Sequence, residues 1–371
     1  MCGILGSIGQ FNTINKDSFH QALLKSNFRG PDYSNSHNFI SCNNQIFLGH
    51  NRLSIIDLNP TGNQPKESHS KNNMIIFNGE IYNHLELRKK FPSDFAWASN
   101  SDTETLIELI EKFGTVKTLS YIRGMFAFAV YDFKKDVVTL ARDISGEKPL
   151  YLYFHEKGLI FSSDLNSPSH LGMPSKAINQ TAINQLLKFN YIPAPLCIYK
   201  STFKLPAASY ISIDLKKFQH KSANSFTDLI SSAGIEFQKF WSLPEQKEQF
   251  NISSPASELT KKTEQLLEES IQMQQLSDVP IGAFLSGGID SSLVVALMQK
   301  NSSSKIKTFN IGFDFDGYDE SPYAEKIAKH LGTDHSSTKC TKAEAVKIIK
   351  SLPSAFAEPF ADSSQIPTML V

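Results

Sequence analysis

Cys2 is the residue with the most direct chemical use. Removal of the initiator Met1 leaves it with a thiol and a free α-amine on the same residue. An α-amine titrates near about 8 and a cysteine thiol near about 8.5, so at neutral pH one can take the other's proton. Nucleophiles served by an N-terminal amine work on this logic. By itself Cys2 is a small residue behind a start codon, and the residues downstream are what give it a task. Arg52 interrupts an apolar, strand-like run over residues 46–57, with strand segments expected on both sides of it. An isolated Arg there is ordinarily half of an ion pair, and the alternative is a guanidinium fork gripping a carboxylate. Asn78-Gly79 follows the apolar residues 74–77. Asn-Gly after a strand usually makes a hairpin, yet residues 83–90 are charged and helical in pattern, with Asn83 as N-cap and Glu86 three positions on. The Asn78-Gly79 turn is then free to present an amide and a backbone N–H, the parts of an oxyanion hole. Ser101-Asp102-Thr103-Glu104 opens a second helix that Gly114 closes, and the Asp102 carboxylate both complements the helix dipole and suits an ammonium.

A second chemistry is written into residues 281–292. An apolar strand after Pro280 runs into Leu285-Ser286-Gly287-Gly288-Ile289-Asp290-Ser291-Ser292, and a helix follows. Backbone N–H groups in such a turn cradle phosphate, aided by the helix dipole, and the glycines remove side chains that would block its approach. The turn is no Walker A loop, since no Gly-Lys-Ser/Thr opens the helix.

The elements that must position these groups can be read in outline. Residues 4–9 are apolar and Gly-spaced, a buried strand whose first residue sits in the site. Arg29-Gly30-Pro31-Asp32 has the composition of a turn. From Gly124 to Phe161 alternating segments predict a four-strand antiparallel meander. With the helices after Asn83 and Ser101, this predicts sheets sandwiched between helical layers. Residues 218–250 lack a period and predict a linker or a long surface hairpin. Leu259, Leu266, Leu267 and Ile271 recur at helical spacing and predict an ordinary core-facing helix. A strand over 308–313 and a helix with Pro322 in its first turn continue a parallel-sheet alternation.

Composition bounds the partners. The 371 residues suit two domains, and 37 basic against 37 acidic residues leave no net field for nucleic acid or an anionic membrane. The four cysteines lie far apart with no CxxC pair, which predicts neither a zinc site nor a disulfide framework and fits a reducing, cytoplasmic setting. No apolar run approaches the length of a membrane span.

The first half resembles class II glutamine amidotransferase domains of the N-terminal-nucleophile fold. Cys2-Gly3-Ile4, Arg29-Gly30-Pro31-Asp32, Arg52-Leu53-Ser54-Ile55-Ile56, Asn78-Gly79-Glu80, Ser101-Asp102-Thr103-Glu104 and Gly124-Met125-Phe126-Ala127 occur in that family's order. The resemblance implies that Cys2 attacks the glutamine amide and that Asn78 and Gly79 form the oxyanion hole. It places Arg52 on the α-carboxylate, Glu80 and Asp102 on the α-amine, and Leu53, Ser54, Ile55 and Ile56 around the substrate. The loop from Leu285 through Ser286, Gly287, Gly288, Asp290 and Ser291 resembles the signature of ATP-pyrophosphatase domains. That resemblance implies ATP bound with its pyrophosphate in the loop, Mg2+ on Asp290, and Ile311 beside the adenine.

The two halves in this order resemble glutamine-hydrolysing asparagine synthetases. Residues 191–195, 277–280 and 358–364 carry the likeness over nearly the whole chain, with Ala357 standing where relatives often have Asp. The chain stops at Val371, ahead of the family's second Gly-rich segment, which implies a synthetase half incomplete as given. The expected fold is an α+β N-terminal-nucleophile αββα sandwich over residues 2–213, a connecting segment over 214–250, and a truncated α/β parallel-sheet adenylating domain over 251–371. The expected activity is that of a ligase: glutamine-derived ammonia amidates an ATP-activated carboxylate, most simply aspartate. A sugar uronate as acceptor, or a glutaminase or regulatory fragment without synthetase activity, are the alternatives. The resemblance allows a homodimer and calls for no nucleic-acid or membrane partner.

Overall fold

The computed structural model describes residues 2–10, 13–171, 176–244, 255–314 and 319–370. Met1, Val371, residues 245–250 of the expected join and residues 251–254 of the expected second domain lie outside them. Two compact units form: Met1–Pro244 with Ala357–Ala361, and Glu245–Phe356 with Asp362–Val371.

The strands of the first unit are β1 (Gly3–Gln10), β2 (Tyr33–Ser41), β3 (Asn44–Arg52), β4 (Lys66–Glu67), β5 (Asn73–Ile81), β6 (Gly124–Asp132), β7 (Val137–Arg142), β8 (Tyr151–His155), β9 (Gly158–Ser162), β10 (Thr202–Lys204), β11 (Ser209–Asp214) and β12 (Ile235–Lys239). Its helices are α1 (Lys16–Lys25), α2 (His84–Lys90), α3 (Asp102–Phe113), α4 (Thr115–Leu119), α5 (Gln180–Phe189) and α6 (Phe226–Ile230). The strands build two six-stranded sheets, ordered β10-β8-β9-β1-β3-β2 and β12-β11-β7-β6-β5-β4. Ile4, Ile8 and Leu48 from the first sheet meet Ile76, Ala129, Leu140 and Ile211 from the second in one buried core. Alternation along each strand sends the other residues outward. There Leu106, Ile107 and Ile110 of α3 cover the second sheet, and Phe19 and Leu23 of α1 cover the first. The result is the expected αββα sandwich.

Several local expectations change. The meander from Gly124 is split, because β6 and β7 pair in the second sheet whereas β8 and β9 pair in the first. The crossing turn is tied by Asp143, whose carboxylate accepts the N–H groups of Phe126, Glu147 and Lys148. Asn78-Gly79 is no turn: β5 runs straight through it, pairing Asn78 with Ala127 and Gly79 with Phe126. The strand carrying Arg52 ends there, and residues 53–59 form an irregular loop. Asn83 sits at the N-cap of α2 but makes no cap bond, because its amide is bound to the backbone of Tyr121 and Arg123. Of residues 218–250, 235–239 form β12, which returns along β11 as the edge strand of the second sheet, and 245–250 lie outside the described residues.

In the second unit, α7 (Ala256–Gln274), β13 (Gly282–Phe284), α8 (Ile289–Lys300), β14 (Lys307–Phe313), α9 (Ser321–Leu331), β15 (Asp334–Cys340), α10 (Lys342–Ala355) and α11 (Gln365–Thr368) follow in order. The three strands form a parallel sheet, β13-β14-β15. Its buried core is small, Leu285, Val295, Ala324 and Ala328. The helix expected to face a core, α7, instead leaves Leu259 and Leu266 exposed. It meets α8 through Lys300, which pairs with Glu264 and Glu268.

Candidate active site

Strand β1 delivers Cys2 to a pocket of about 190 Å³ walled by Arg52, Leu53, Ile55, Ile56, Gln64, Asn78, Gly79, Glu80, Asp102, Met125 and Lys148, among others. Three groups hold the cysteine. The Leu53 N–H donates to its Sγ at 3.4 Å, Sγ reaches the Leu53 carbonyl at 3.6 Å, and Arg29 Nε donates to the Cys2 carbonyl at 3.2 Å. Two residues on, Ser163 Oγ accepts the Ile4 N–H at 3.1 Å and the Asn78 amide at 3.4 Å, joining β1 to β5. The Asn78 side-chain oxygen is buried with no partner.

Gly79 is fixed by its neighbour. A Cβ at this position would stand 2.1 Å from the Met125 carbonyl and 2.7 Å from the Phe126 Cα, so β5 and β6 approach this closely only at a glycine.

Arg52 is neither ion-paired nor free. Its guanidinium donates to the carbonyls of Ile56, Asp57 and Asn59 and to the Asn63 side chain. These bonds shape the loop that brings Leu53, Ile55 and Ile56 to the pocket, while the arginine itself stays on the wall. Ser54 is not part of that wall; its N–H donates to Asp32 at 2.7 Å, which anchors the loop to the Gly30-Pro31 turn.

The charged groups are poised by burial. Burial raises the Cys2 thiol above its usual value, against the Leu53 N–H that favours the thiolate. Asp102 opens α3 behind the Ser101 cap, whose hydroxyl accepts the Thr103 N–H at 3.1 Å. Burial lifts the Asp102 carboxyl to about 6, although the Ile81 N–H donates to it, and the charge of Glu80 pushes the same way. Glu80 is itself raised by burial, with Lys148 opposing. Two such carboxyls on one wall favour a cationic group of a ligand. Thr103 and Met125, named in the sequence only as members of motifs, also line the pocket, as do Gln64 and Lys148, which were not singled out there. A Lys in Gly146-Glu147-Lys148-Pro149 looks like surface charge, and only the crossing turn between the sheets buries it.

In the second unit, Ser286, Gly287 and Gly288 link β13 to α8 as the motif suggested. The hydroxyls of Ser286 and Ser291 lie 3.0 Å apart, and Ser286 Oγ accepts the Gly288 N–H at 3.3 Å. Gly287 has φ +88° and packs against the Tyr323 and Ala324 backbone, a conformation and a proximity that need glycine. A neighbouring cleft of about 340 Å³ is lined by Leu285, Ser286, Phe309, Asn310, Ile311 and Glu320, among others. Asp290 is exposed in the first turn of α8.

Known proteins fit this division. Residues 1–224 match the glutamine amidotransferase domain and residues 262–371 match asparagine synthase. Over its whole length the chain is 33% identical to the putative asparagine synthetase (glutamine-hydrolyzing) 2 of Methanocaldococcus jannaschii, spanning 71% of that protein. It is 29% identical to asparagine synthetase (glutamine-hydrolyzing) 1 of Bacillus subtilis, again over the whole chain but only 55% of the relative. Amidase chyE of Penicillium rubens is similar at 28% identity, over 95% of this chain and 49% of the relative. With both domains matched in order, the chain belongs to the glutamine-hydrolysing asparagine synthetase family.

Proposed function

We propose that the first unit hydrolyses glutamine at Cys2 and that the ammonia serves an ATP-dependent amidation, most simply of aspartate to asparagine with AMP and pyrophosphate released. The observation that carries this reading is the convergence of Cys2, Arg52, Asn78, Gly79, Glu80 and Asp102 on one pocket. Once Met1 is removed, the α-amine of Cys2 takes the thiol proton, which burial otherwise holds in place. The thiolate then adds to the side-chain amide carbon of glutamine, and the oxygen that becomes negative is met by the Asn78 amide and the Gly79 N–H. The proton on the amine goes to the departing nitrogen, ammonia leaves, and water hydrolyses the glutamyl thioester. Arg52 faces the α-carboxylate, and Glu80 with Asp102 faces the α-ammonium.

Asp102 tests the last assignment. Its carboxyl titrates near 6 in the folded chain against 3.8 ordinarily, so between these values the folded state binds more protons than the unfolded. Stability therefore falls as pH rises through that window, and above it the buried charge costs on the order of 2–3 kcal/mol. Asp102→Asn is expected to raise Tm at pH 7.5 and to raise KM for glutamine at least about tenfold, since a buried charged pair contributes more than a neutral hydrogen bond. In the wild type, glutamine affinity should drop as pH falls below 6. A variant with unchanged KM would remove Asp102 from the ammonium site.

In the synthetase half, the Ser286 to Ser291 turn is assigned to the pyrophosphate of ATP and the cleft containing Ile311 to the adenine. Asp290 would hold Mg2+ there. Among the described residues no group of three or more His, Cys, Asp or Glu forms a metal cage. That suits an ion taking most of its ligands from phosphate and water, with a single carboxylate from the protein. Bound, the ion neutralises phosphate charge. The likeness to an amidase keeps a second acceptor in view, for example a sugar uronate. Acceptor-dependent pyrophosphate release by a version extended to the length of the curated relatives, supplied with ATP, Mg2+ and either aspartate or uronic acids, separates the two: release with aspartate alone supports the first reading, and release only with a uronate replaces it.

A further inference from the structure

Strand β5 carries the oxyanion-hole residues past the end of its outer neighbour. The β4 pairing covers only Ile75 and Met74, so beyond Ile75 one edge of β5 has no strand beside it. In an antiparallel ladder the N–H and C=O of one residue point to the same side. For Phe77, the residue just before Asn78, that side is the uncovered edge, and two side chains stand in for the missing strand. Gln64 Oε1 accepts the Phe77 N–H at 2.7 Å, and His50 Nε2 lies 3.0 Å from the Phe77 carbonyl.

His50 comes from the other sheet. It lies on β3 opposite Ile4 of β1, two residues before Arg52, and its ring is completely buried. A carbonyl only accepts, so Nε2 must carry the proton. Nδ1 has no hydrogen-bond partner, and a buried imidazolium would leave an N–H there unsatisfied. The ring is therefore neutral and in a single tautomer, and burial depresses its pKa to about 3.

We propose that His50 is a positioning residue for glutamine hydrolysis: its Nε2–H ties the Phe77 carbonyl across the two sheets and, with Gln64 on the Phe77 N–H, sets where Asn78 and Gly79 meet the forming oxyanion. This rests on the glutaminase reading above. The bond acts on a strand segment that no neighbouring strand holds on that edge, so its loss lets the hole shift without dissolving the sheet.

Two amide replacements separate positioning from packing. The His50→Gln amide nitrogen reaches about as far as Nε2, while that of His50→Asn stops about one bond short. Glutamine hydrolysis by His50→Asn is expected to lose about 10- to 100-fold in kcat with KM changed less than about threefold, a fraction of what direct removal of an oxyanion donor costs. His50→Gln should recover most of kcat. Affinity for the γ-aldehyde analogue of glutamate, which forms a tetrahedral adduct on a thiol, should fall with kcat, while affinity for glutamate holds. Equal kcat in the two variants, or a loss confined to KM, overturns the proposal. The 15N spectrum of wild-type imidazole reads the tautomer without turnover: a proton on Nε2 alone supports the assignment, and one on Nδ1 rejects it. A wild type that does not hydrolyse glutamine would instead sink the glutaminase reading and leave this spectrum unchanged.

Discussion

Cys2→Ala abolishes glutamine hydrolysis, with an expected fall of roughly 10⁴-fold or more, the scale seen when a covalent nucleophile is removed. The rest of the pocket stays intact, because the thiol's neighbours are the backbone of Leu53 and a carbonyl bond to Arg29 that alanine keeps. Glutamine should still bind. At about 100 times Kd it would stabilise the variant by about 2.7 kcal/mol, readable as a rise in Tm. The same logic extends to the terminus. Burial holds the Cys2 thiol protonated, so a base must remove its proton, and the pocket wall otherwise offers carboxylates and a lysine. A form that retains Met1 has its amine one residue away and should fold normally while hydrolysing glutamine as poorly as Cys2→Ala. Mass spectrometry of the mature terminus together with a glutaminase assay checks both. Full activity with Met1 in place would end the role of the Cys2 amine.

The parts of this site that were legible in the sequence are those fixed by local chemistry. Gly-spaced apolar residues after Cys2 do form a buried strand, Ser101 does cap the helix that starts with Asp102, and the Ser286-Gly287-Gly288 turn does join strand to helix. The parts that failed depend on what lies across the sheet. The Asn-Gly rule describes a chain free to reverse, but at Asn78-Gly79 the strand is held from both sides, by β6 and by the Gln64 and His50 side chains, so it continues. Residues 124–161 have the alternation of a meander in either sheet, and only the Asp143 turn decides that the last two strands cross over. Arg52 illustrates a third limit. An arginine in a strand was expected to need an acidic partner or a ligand, and carbonyls of its own loop supply most of its bonds. No pattern in the sequence announces such a self-made cage. The exposure of α7 is of the same kind, since helical spacing gives the apolar stripe but not whether the small core of the second unit extends to it.

Gly79→Ala is expected to be the second most damaging single change, and its cause is backbone against backbone. The new methyl would sit 2.1 Å from the Met125 carbonyl and 2.7 Å from the Phe126 Cα, so no side-chain rotation relieves it. Strand β6 cannot give way easily: its far edge is paired with β7, and the Phe126 N–H is held by Asp143 at 3.1 Å. Strand β5 must move instead, and on its free side it is held by side chains alone, Gln64 and His50 at Phe77 and Asp102 at the Ile81 N–H. The displacement thus falls on Asn78 and the Gly79 N–H themselves. Overpacking of this kind costs about 1–3 kcal/mol of stability, and displacing a hydrogen-bond donor from the oxyanion lowers kcat about 10²- to 10³-fold. The two losses separate by temperature. Assayed well below its lowered Tm, where nearly all molecules are folded, Gly79→Ala should keep its full deficit in kcat. A deficit that vanishes on cooling would mean that the glycine serves only the packing of β5 on β6, and that the backbone N–H at this position takes no part in holding the oxyanion.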